Sequence, residues 1–420
     1  MPILRRKPRL NRPSPLSRLT GTIATTRQRS LDRIRASQAA IRRNRLAFYT
    51  LLIAGVTILC LTAWPFTKAH LQAMTVLQLV SGQPVSKPLS AIVAEPVVTE
   101  ELTVPTPEGP IRARLYVPVK HPNAPALVVL HGVHHLGMDE PRLMSFATAM
   151  ASCGLRVLTP ELPNIKDYRV DSTSIRVIGD TTRWFAQRTG GPVGVMGLSF
   201  SGGLSLLAAA NPDFHSAFKF VFAVGSQGSM ARVFSFYSTN TDLRPDGTTE
   251  RLTAHEYGPL VLEYDYLEDF VSPRDLAPIR AVLKAHLYED KPAEVAALKN
   301  LTPAQTLIAL HLMDATSPET RANLARARAH HTAEMEGLSP GPRLRTLTTP
   351  VYLLHGAADN IIPSAETLWM ASELEHQHLQ AALVSPVLSH LDFGETKPSA
   401  MDTWRLIHFF ALVMHAAEQK

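Results

Sequence analysis

Apolar and polar positions follow two rhythms between residues 99 and 420. Short apolar runs, typical of strands covered on both faces, lie at 126–132, 155–162, 192–197, 218–225, 350–356 and 379–385. Between them, apolar residues recur every three to four positions, as in amphipathic helices, at 141–154, 171–190, 201–212, 364–375 and 399–419. Strands that alternate with helices through short loops predict an α/β fold with a mostly parallel sheet, covered by helices on both faces.

Two stretches depart from this alternation. Residues 101–118 alternate with period two around Pro107-Glu108-Gly109 and predict a β-hairpin. Residues 227–346 are rich in helix formers and aromatic residues, and we expect a helical cap insert that lines part of a substrate pocket. The sequence thus predicts a core formed by 99–226 and 347–420, with the cap at 227–346.

Residues 46–66 form an apolar segment of 21 residues without a charge, long enough for a helix that crosses a bilayer. Residues 1–45 form a basic arm with thirteen Lys and Arg against one acid. The positive-inside rule therefore predicts a single-pass membrane protein with a cytoplasmic N-terminus and an extracytoplasmic domain. A cleavable signal peptide is the alternative, although the run is long for one and no clear cleavage site follows.

The charge is concentrated in the arm, which carries +12 against +6 for the whole chain, so the remainder carries −6. The arm has no interleaved aromatic residues, which argues against a nucleic-acid partner. The two cysteines, Cys60 and Cys153, cannot form a disulfide framework, because Cys60 lies in the apolar segment. This pattern favours a bacterial inner membrane over a secreted eukaryotic protein.

Residues 67–98 are predicted to form a membrane-proximal helix followed by a proline-containing linker. A chain that begins near Glu100 should then be soluble and keep any activity. Insolubility of such a chain would indicate that residues 68–98 cover apolar surface of the domain.

The first candidate for chemistry is Ser199, in the stretch "VMGLSFSGG" between a predicted strand and a predicted helix. Small neighbours at Gly197 and Ser201 suit a nucleophile elbow, a strained turn that exposes a serine hydroxyl at the edge of a sheet. The usual pattern ends in glycine, so Ser201 could instead be the nucleophile in an overlapping frame that ends at Gly203. We favour Ser199 because the strand ends directly before Gly197.

A serine hydroxyl needs a base, and the base needs a group that orients it. No Asp or Glu occurs between Phe220 and Thr241, which leaves Asp359, after the late strand at 350–356, as the candidate acid. His390 follows in the loop before the last helix. The histidines at His255, His330 and His331 lie in the insert and are poorer candidates.

Acyl transfer also needs donors to the oxyanion. The candidates are the backbone N–H groups of Phe200, directly after the serine, and of Val133, after the strand at 126–132. His134 and His135 have no carboxylate at helical spacing, so the sequence predicts neither a metal site nor a cofactor.

Residues 99–418 resemble the α/β-hydrolase superfamily, most of all its serine esterases and dienelactone-hydrolase-like members. The matching motifs are "HG" at 131–132, "GLSFSG" at 197–202, "HGAADNIIP" at 355–363 and "SH" at 389–390, in the order of that superfamily. The resemblance implies that Ser199 is the nucleophile, His390 the general base, Asp359 its orienting acid, and Val133 and Phe200 the oxyanion donors.

The function expected from this resemblance is hydrolysis of carboxylic esters or thioesters, with a small-molecule ester or acyl substrate as the partner. Two alternatives stay open. An alcohol other than water could resolve the acyl-enzyme, which would make the protein an acyltransferase. The domain could also be a non-catalytic scaffold that binds a partner through the cap.

Overall fold

The structure is a computed structural model that describes residues 15–388 and 398–419. The chain divides into two compact units, residues 1–65 and 66–420. Helix α1 (Pro15–Val80) begins in the first unit. By length and composition, the part Arg35–Val80 is the one helix of the described residues that could cross a membrane. This agrees with the helix predicted at 46–66.

The second unit is built on one eight-stranded sheet. The strands of the chain are β1 (Val97–Thr106), β2 (Gly109–Pro118), β3 (Ala126–Leu130), β4 (Arg156–Pro160), β5 (Val193–Leu198), β6 (Phe218–Val224), β7 (Thr241–Leu243), β8 (Thr249–Arg251), β9 (Val351–Gly356) and β10 (Leu379–Ser385). The sheet has the order β1-β2-β4-β3-β5-β6-β9-β10. Only β2 runs antiparallel to its neighbours, which confirms the mostly parallel sheet and its initial hairpin.

The helices that follow α1 are α2 (Lys87–Val93), α3 (Pro141–Ser152), α4 (Pro163–Lys166), α5 (Ser172–Thr189), α6 (Phe200–Ala210), α7 (Met230–Thr239), α8 (Tyr257–Asp265), α9 (Pro273–Leu287), α10 (Lys291–Lys299), α11 (Pro303–Leu312), α12 (Pro318–His330), α13 (Thr332–Gly337), α14 (Gly341–Leu344), α15 (Ala365–Glu373) and α16 (Ala400–Glu418). Helices α7 to α14 and the small β7–β8 hairpin all lie between β6 and β9 in the chain. Segment 227–346, predicted as a cap, is therefore mainly helical.

Successive side chains of a strand point to opposite faces of a sheet. Because consecutive residues of the central strands are apolar, both faces of the sheet are apolar. In β3, Val128 and Leu130 belong to the core shared with α5 and α6. Leu127 and Val129 belong to the core shared with α3 and α16. Continuous apolar runs in the sequence thus correspond to strands covered on both sides.

The last turns of α1 pack on the sheet domain. Ala69, Ala73 and Val76 are buried in the same core as α3 and α16. The Gln72 side-chain amide donates a hydrogen bond of 2.6 Å to the carbonyl oxygen of Cys153. Residues 67–98, predicted as a membrane-proximal helix and linker, therefore also cover apolar surface of the domain.

The strand order contains a topological switch point between β3 and β5. From β3 the chain moves to β4 on one side, and it then returns to β5 on the other side of β3. In open α/β sheets, ligands bind beyond the carboxyl ends of the strands at such a point. The loops after β3 and β5 are the segments that contain Val133 and Ser199.

Candidate active site

Ser199 sits on a strained turn between β5 and α6. Its φ of 56° and ψ of −133° place a non-glycine residue in a sparsely populated backbone region, as occurs at functional turns. Its N–H donates a 2.8 Å hydrogen bond to the Val224 carbonyl oxygen. A Cβ on Gly197 would lie 2.5 Å from the Gly202 Cα, so the turn requires glycine there.

The two serines of the motif differ in their surroundings. The Ser201 hydroxyl donates a hydrogen bond to the His131 carbonyl oxygen, and its side chain is completely buried. Ser199 is 4% exposed and lines a cavity. Ser201 therefore ties the elbow to the loop after β3, whereas Ser199 faces the cavity.

Asp359 follows β9 and is held by its own loop. One carboxylate oxygen accepts hydrogen bonds from the N–H groups of Ile361 (2.9 Å) and Ile362 (3.0 Å). The other lies 3.3 Å from Nε2 of His355, which is closer, at 2.8 Å, to the Ile362 carbonyl oxygen. The Nδ1 of His355 is 2.8 Å from the Thr367 hydroxyl. The carboxylate is 1% exposed. No role for His355 follows from the sequence alone. In the structure its buried side chain holds the loop that carries Asp359.

His390 lies outside the described residues, so its predicted position is not compared with the structure. The described chain before it reaches residue 388: β10 ends at Ser385, and Leu388 lines the same cavity as Ser199. Ile361, two residues after Asp359, lines this cavity as well. Ser199, Ile361 next to the predicted acid, and Leu388, the last described residue before His390, thus line one cavity.

The loop after β3 is fixed by His131. Its Nδ1 donates to the Gly132 carbonyl oxygen at 2.8 Å, and its Nε2 accepts the N–H of Leu162 at 2.9 Å. This pattern requires a neutral imidazole, and burial lowers the pKa of His131 to about 4. His131 therefore positions the loop and stays uncharged at neutral pH.

The two predicted oxyanion donors lie on neighbouring segments. Val133 and Phe200 both line the cavity. The N–H of Phe200 belongs to the first turn of α6, where N–H groups have no partner within a helix. The Val133 carbonyl oxygen accepts a 2.7 Å hydrogen bond from the Tyr257 hydroxyl, which connects this loop to the insert. Sequence reasoning could not have found that long-range contact.

The cavity has a volume of about 450 Å³. Insert residues line one part of it, including His255, Tyr257 and Val261. His134 and His255, which the sequence analysis ranked low, also line the cavity. Burial lowers the pKa of His134. Among the described residues, no group of three or more His, Cys, Asp or Glu could hold a metal ion.

No family model matches the chain, and no curated protein matches it. Among solved structures, the chain is similar to an esterase of Pyrobaculum calidifontis, with 15% identity and a TM-score of 0.42, over 83% of this chain and 91% of that chain. It is similar to brefeldin A esterase, a bacterial homologue of human hormone-sensitive lipase, with 16% identity and a TM-score of 0.41, over 84% and 83%. A third similar structure is that of 2-hydroxy-6-oxo-6-phenylhexa-2,4-dienoate hydrolase of Rhodococcus sp. strain RHA1, with 19% identity and a TM-score of 0.35. The match covers 70% of this chain and 93% of that chain.

The eight-stranded order with β2 antiparallel, and a strained serine between β5 and α6, together define the architecture. The fold is that of the α/β-hydrolases. This confirms the fold class that the sequence resemblance implied, including the helices on both faces of the sheet. Ser199, directly after β5, stands at the carboxyl edge of this sheet.

Proposed function

We propose that this protein is a serine hydrolase that cleaves carboxylic esters or thioesters through an acyl-enzyme intermediate. The observation that carries the proposal is Ser199, held with a positive φ at the switch point of the sheet and facing a 450 Å³ cavity. Backbone strain of this kind costs about 1–3 kcal/mol and is typical of functional positions. Asn240 also has a positive φ, but its φ of 51° and ψ of 34° are the left-handed values that end a helix, whereas the ψ of −133° at Ser199 lies outside that region.

The environment of the two serines favours Ser199 as the nucleophile. The Ser201 hydroxyl already donates its proton to the His131 carbonyl, and it lies away from the cavity lining. Ser199 has the elbow geometry and the access to substrate that attack requires.

Asp359 is proposed as the acid that orients the base. Its hydrogen bonds from Ile361 and Ile362 stabilise the ionised carboxylate and fix its direction. His390 is proposed as the base because its segment leaves β10 beside β9 and continues from Leu388 at the cavity wall.

In the proposed mechanism, the Ser199 hydroxyl oxygen attacks the substrate carbonyl carbon and passes its proton to His390. The oxyanion that forms accepts hydrogen bonds from the N–H groups of Phe200 and Val133. Protonated His390 then gives the proton to the leaving alcohol or thiol, which departs and leaves the acyl-enzyme. Water, deprotonated by His390, releases the acid and restores the Ser199 hydroxyl.

A fluorophosphonate tests whether Ser199 is activated, because its adduct resembles the tetrahedral intermediate. We expect stoichiometric labelling of the full-length protein, with the modified peptide mapped by mass spectrometry to Ser199. The Ser201→Ala variant should still be labelled, since it keeps the nucleophile. A folded wild-type protein that resists labelling would contradict the proposal, as would a label on Ser201.

The same probe tests the identity of the base. We expect labelling to be nearly abolished in His390→Ala, where no group can take the proton. His255→Ala and His134→Ala serve as matched controls because both side chains line the cavity, and both variants should be labelled. Loss of labelling in either control, with labelling retained in His390→Ala, would reassign the base.

We also propose that α1 crosses a bacterial inner membrane with the N-terminus in the cytoplasm and the hydrolase domain outside. The thirteen basic residues before residue 46 support this orientation. A reporter that is active only after export, fused after Lys420, should be active, and a reporter that works only in the cytoplasm should be silent. The reverse pattern, or a mature chain cleaved after residue 66, would overturn this topology.

A further inference from the structure

The end of α1 forms part of the cavity that contains Ser199. Leu77 and Val80 line it, while Ala69, Ala73 and Val76 bury the same side of the helix against the domain. Ala69, Ala73, Val76 and Val80 recur at intervals of three and four, and Leu77 follows Ala73 by four, which marks one stripe of a helix. The helix that packs on the domain therefore also supplies a wall of the site.

The part of the cavity next to α1 is apolar. Leu143 and Phe146 of α3, Phe410 of α16 and Leu354 of β9 line it together with Leu77 and Val80. None of these side chains offers a hydrogen bond. Glu140, Arg142 and Glu289 also line the cavity, whereas the six apolar side chains belong to one hydrophobic cluster. This apolar cluster suits an alkyl chain.

The position of α1 in the chain indicates where such an alkyl chain comes from. Leu77 follows Phe66, the last residue of the uncharged segment, by eleven positions of one helix. Nearby, Trp404 is 53% exposed and stacks on His70 at 5.4 Å. Exposed tryptophan is enriched at the membrane–water interface. A lipid is therefore the source of alkyl chains nearest to this site.

We infer that Leu77 and Val80 determine the specificity of the site, and that the substrate is a membrane lipid ester or thioester whose long alkyl chain lies against α1. This inference rests on the proposed hydrolase function for the reacting bond, but the alkyl site can be measured without it. The anchor helix is then part of the active site and not only a tether.

The test uses full-length protein in detergent micelles and fluorophosphonates with alkyl chains of 4, 8, 12 and 16 carbons. The rate of labelling should rise about fourfold per methylene while the chain still fills the site. Leu77→Trp should lower the ratio of the 16-carbon rate to the 4-carbon rate, because the larger side chain takes room from the long alkyl chain and not from the reacting bond. If the tryptophan removes room for three methylenes, the rate for the 16-carbon probe should fall about 60-fold.

Leu79→Trp is the matched control, because Leu79 is exposed on the same helix turn and is absent from the cavity lining. It should keep the wild-type ratio of long-chain to short-chain rates. An equal ratio in wild type and Leu77→Trp would overturn the inference and leave the hydrolase proposal standing. A wild-type labelling rate that is independent of chain length would also overturn the inference.

If no probe labels the wild-type protein, the hydrolase proposal fails, and the alkyl site is measured by binding. A fluorescent 16-carbon fatty acid should bind the full-length Ser199→Ala protein, and Leu77→Trp in that background should weaken binding by a similar factor. Leu79→Trp in the same background should bind like its parent. Binding that is unaffected by Leu77→Trp would reject the alkyl site by itself.

Discussion

Hydrolysis of 4-nitrophenyl butanoate should fall by about a million-fold in kcat when Ser199 is replaced by alanine, the size of loss found when a triad serine is removed. Nothing else in the site can replace the hydroxyl, since Ser201 is buried and bonded to the His131 carbonyl. The rate that survives should come from the oxyanion donors alone.

Asp359→Asn should lower kcat by about 10⁴-fold, less than the serine variant, because His390 remains but is held in the wrong tautomer. KM should change little, since Asp359 orients the base and does not bind substrate. The fall should be measured with stopped-flow or endpoint release of 4-nitrophenolate, with circular dichroism to confirm folding. Full activity in folded Asp359→Asn would remove this residue from the mechanism.

The His355→Gln variant tests the residue that holds Asp359 in place, without changing Asp359 itself. His355 is fully buried between Asp359 and Thr367, so the change affects the loop and not the proton transfer itself. Comparison of His355→Gln with Asp359→Asn therefore distinguishes displacement of the carboxylate from loss of its charge. The Asp359→Asn variant alone cannot make this distinction.

The sheet could be predicted from the sequence because its central strands are covered on both faces. Strands covered on both faces are apolar at consecutive positions, so β3, β5, β6 and β9 appear in the sequence as short continuous apolar runs. The Ser199 turn was predictable for a related reason. The backbone approach between Gly197 and Gly202 excludes any side chain, and this steric limit appears directly as glycine in the sequence.

Other features depend on contacts between residues that are far apart in the chain. The Tyr257 hydroxyl reaches the Val133 carbonyl across 124 positions, and neither residue forms a motif. The cavity lining by His255 arises from the fold of the insert, whose helices carry weak sequence signals. His355 stands out in the sequence only as part of the HG pair at 355–356, because its contacts with the acid loop arise from the fold.

The packing of α1 on the domain corresponds to a pattern in the sequence that does not identify its partner. Ala69, Ala73, Val76 and Val80 are spaced as one helical stripe, but they follow directly on the uncharged segment. Small apolar residues next to a membrane span are consistent with either lipid or protein contact. The structure, in which the first three are buried on the domain, decides between them.

A chain that begins at residue 96 should therefore lose stability, although it keeps β1 and the whole sheet. Deletion uncovers the core of α3 and α16 where Ala69, Ala73 and Val76 pack, and it removes the hydrogen bond from Gln72 to Cys153. Loss of this burial should cost about 5 kcal/mol, a large part of a typical folding free energy. We expect aggregation, or a Tm lower by about 7 °C for a domain of this length.

A chain that begins at residue 67 is the matched control, since it lacks the uncharged segment but keeps the packed turns of α1. It should unfold near the temperature of the full-length protein in the same detergent. The point variants repeat the comparison: Ala73→Asp buries an unpaired charge, whereas Leu79→Asp places one on an exposed face, so only the first should lower Tm. A soluble chain from residue 96 with an unchanged Tm would show that α1 does not pack on the domain, and it would also remove the wall on which the alkyl site depends.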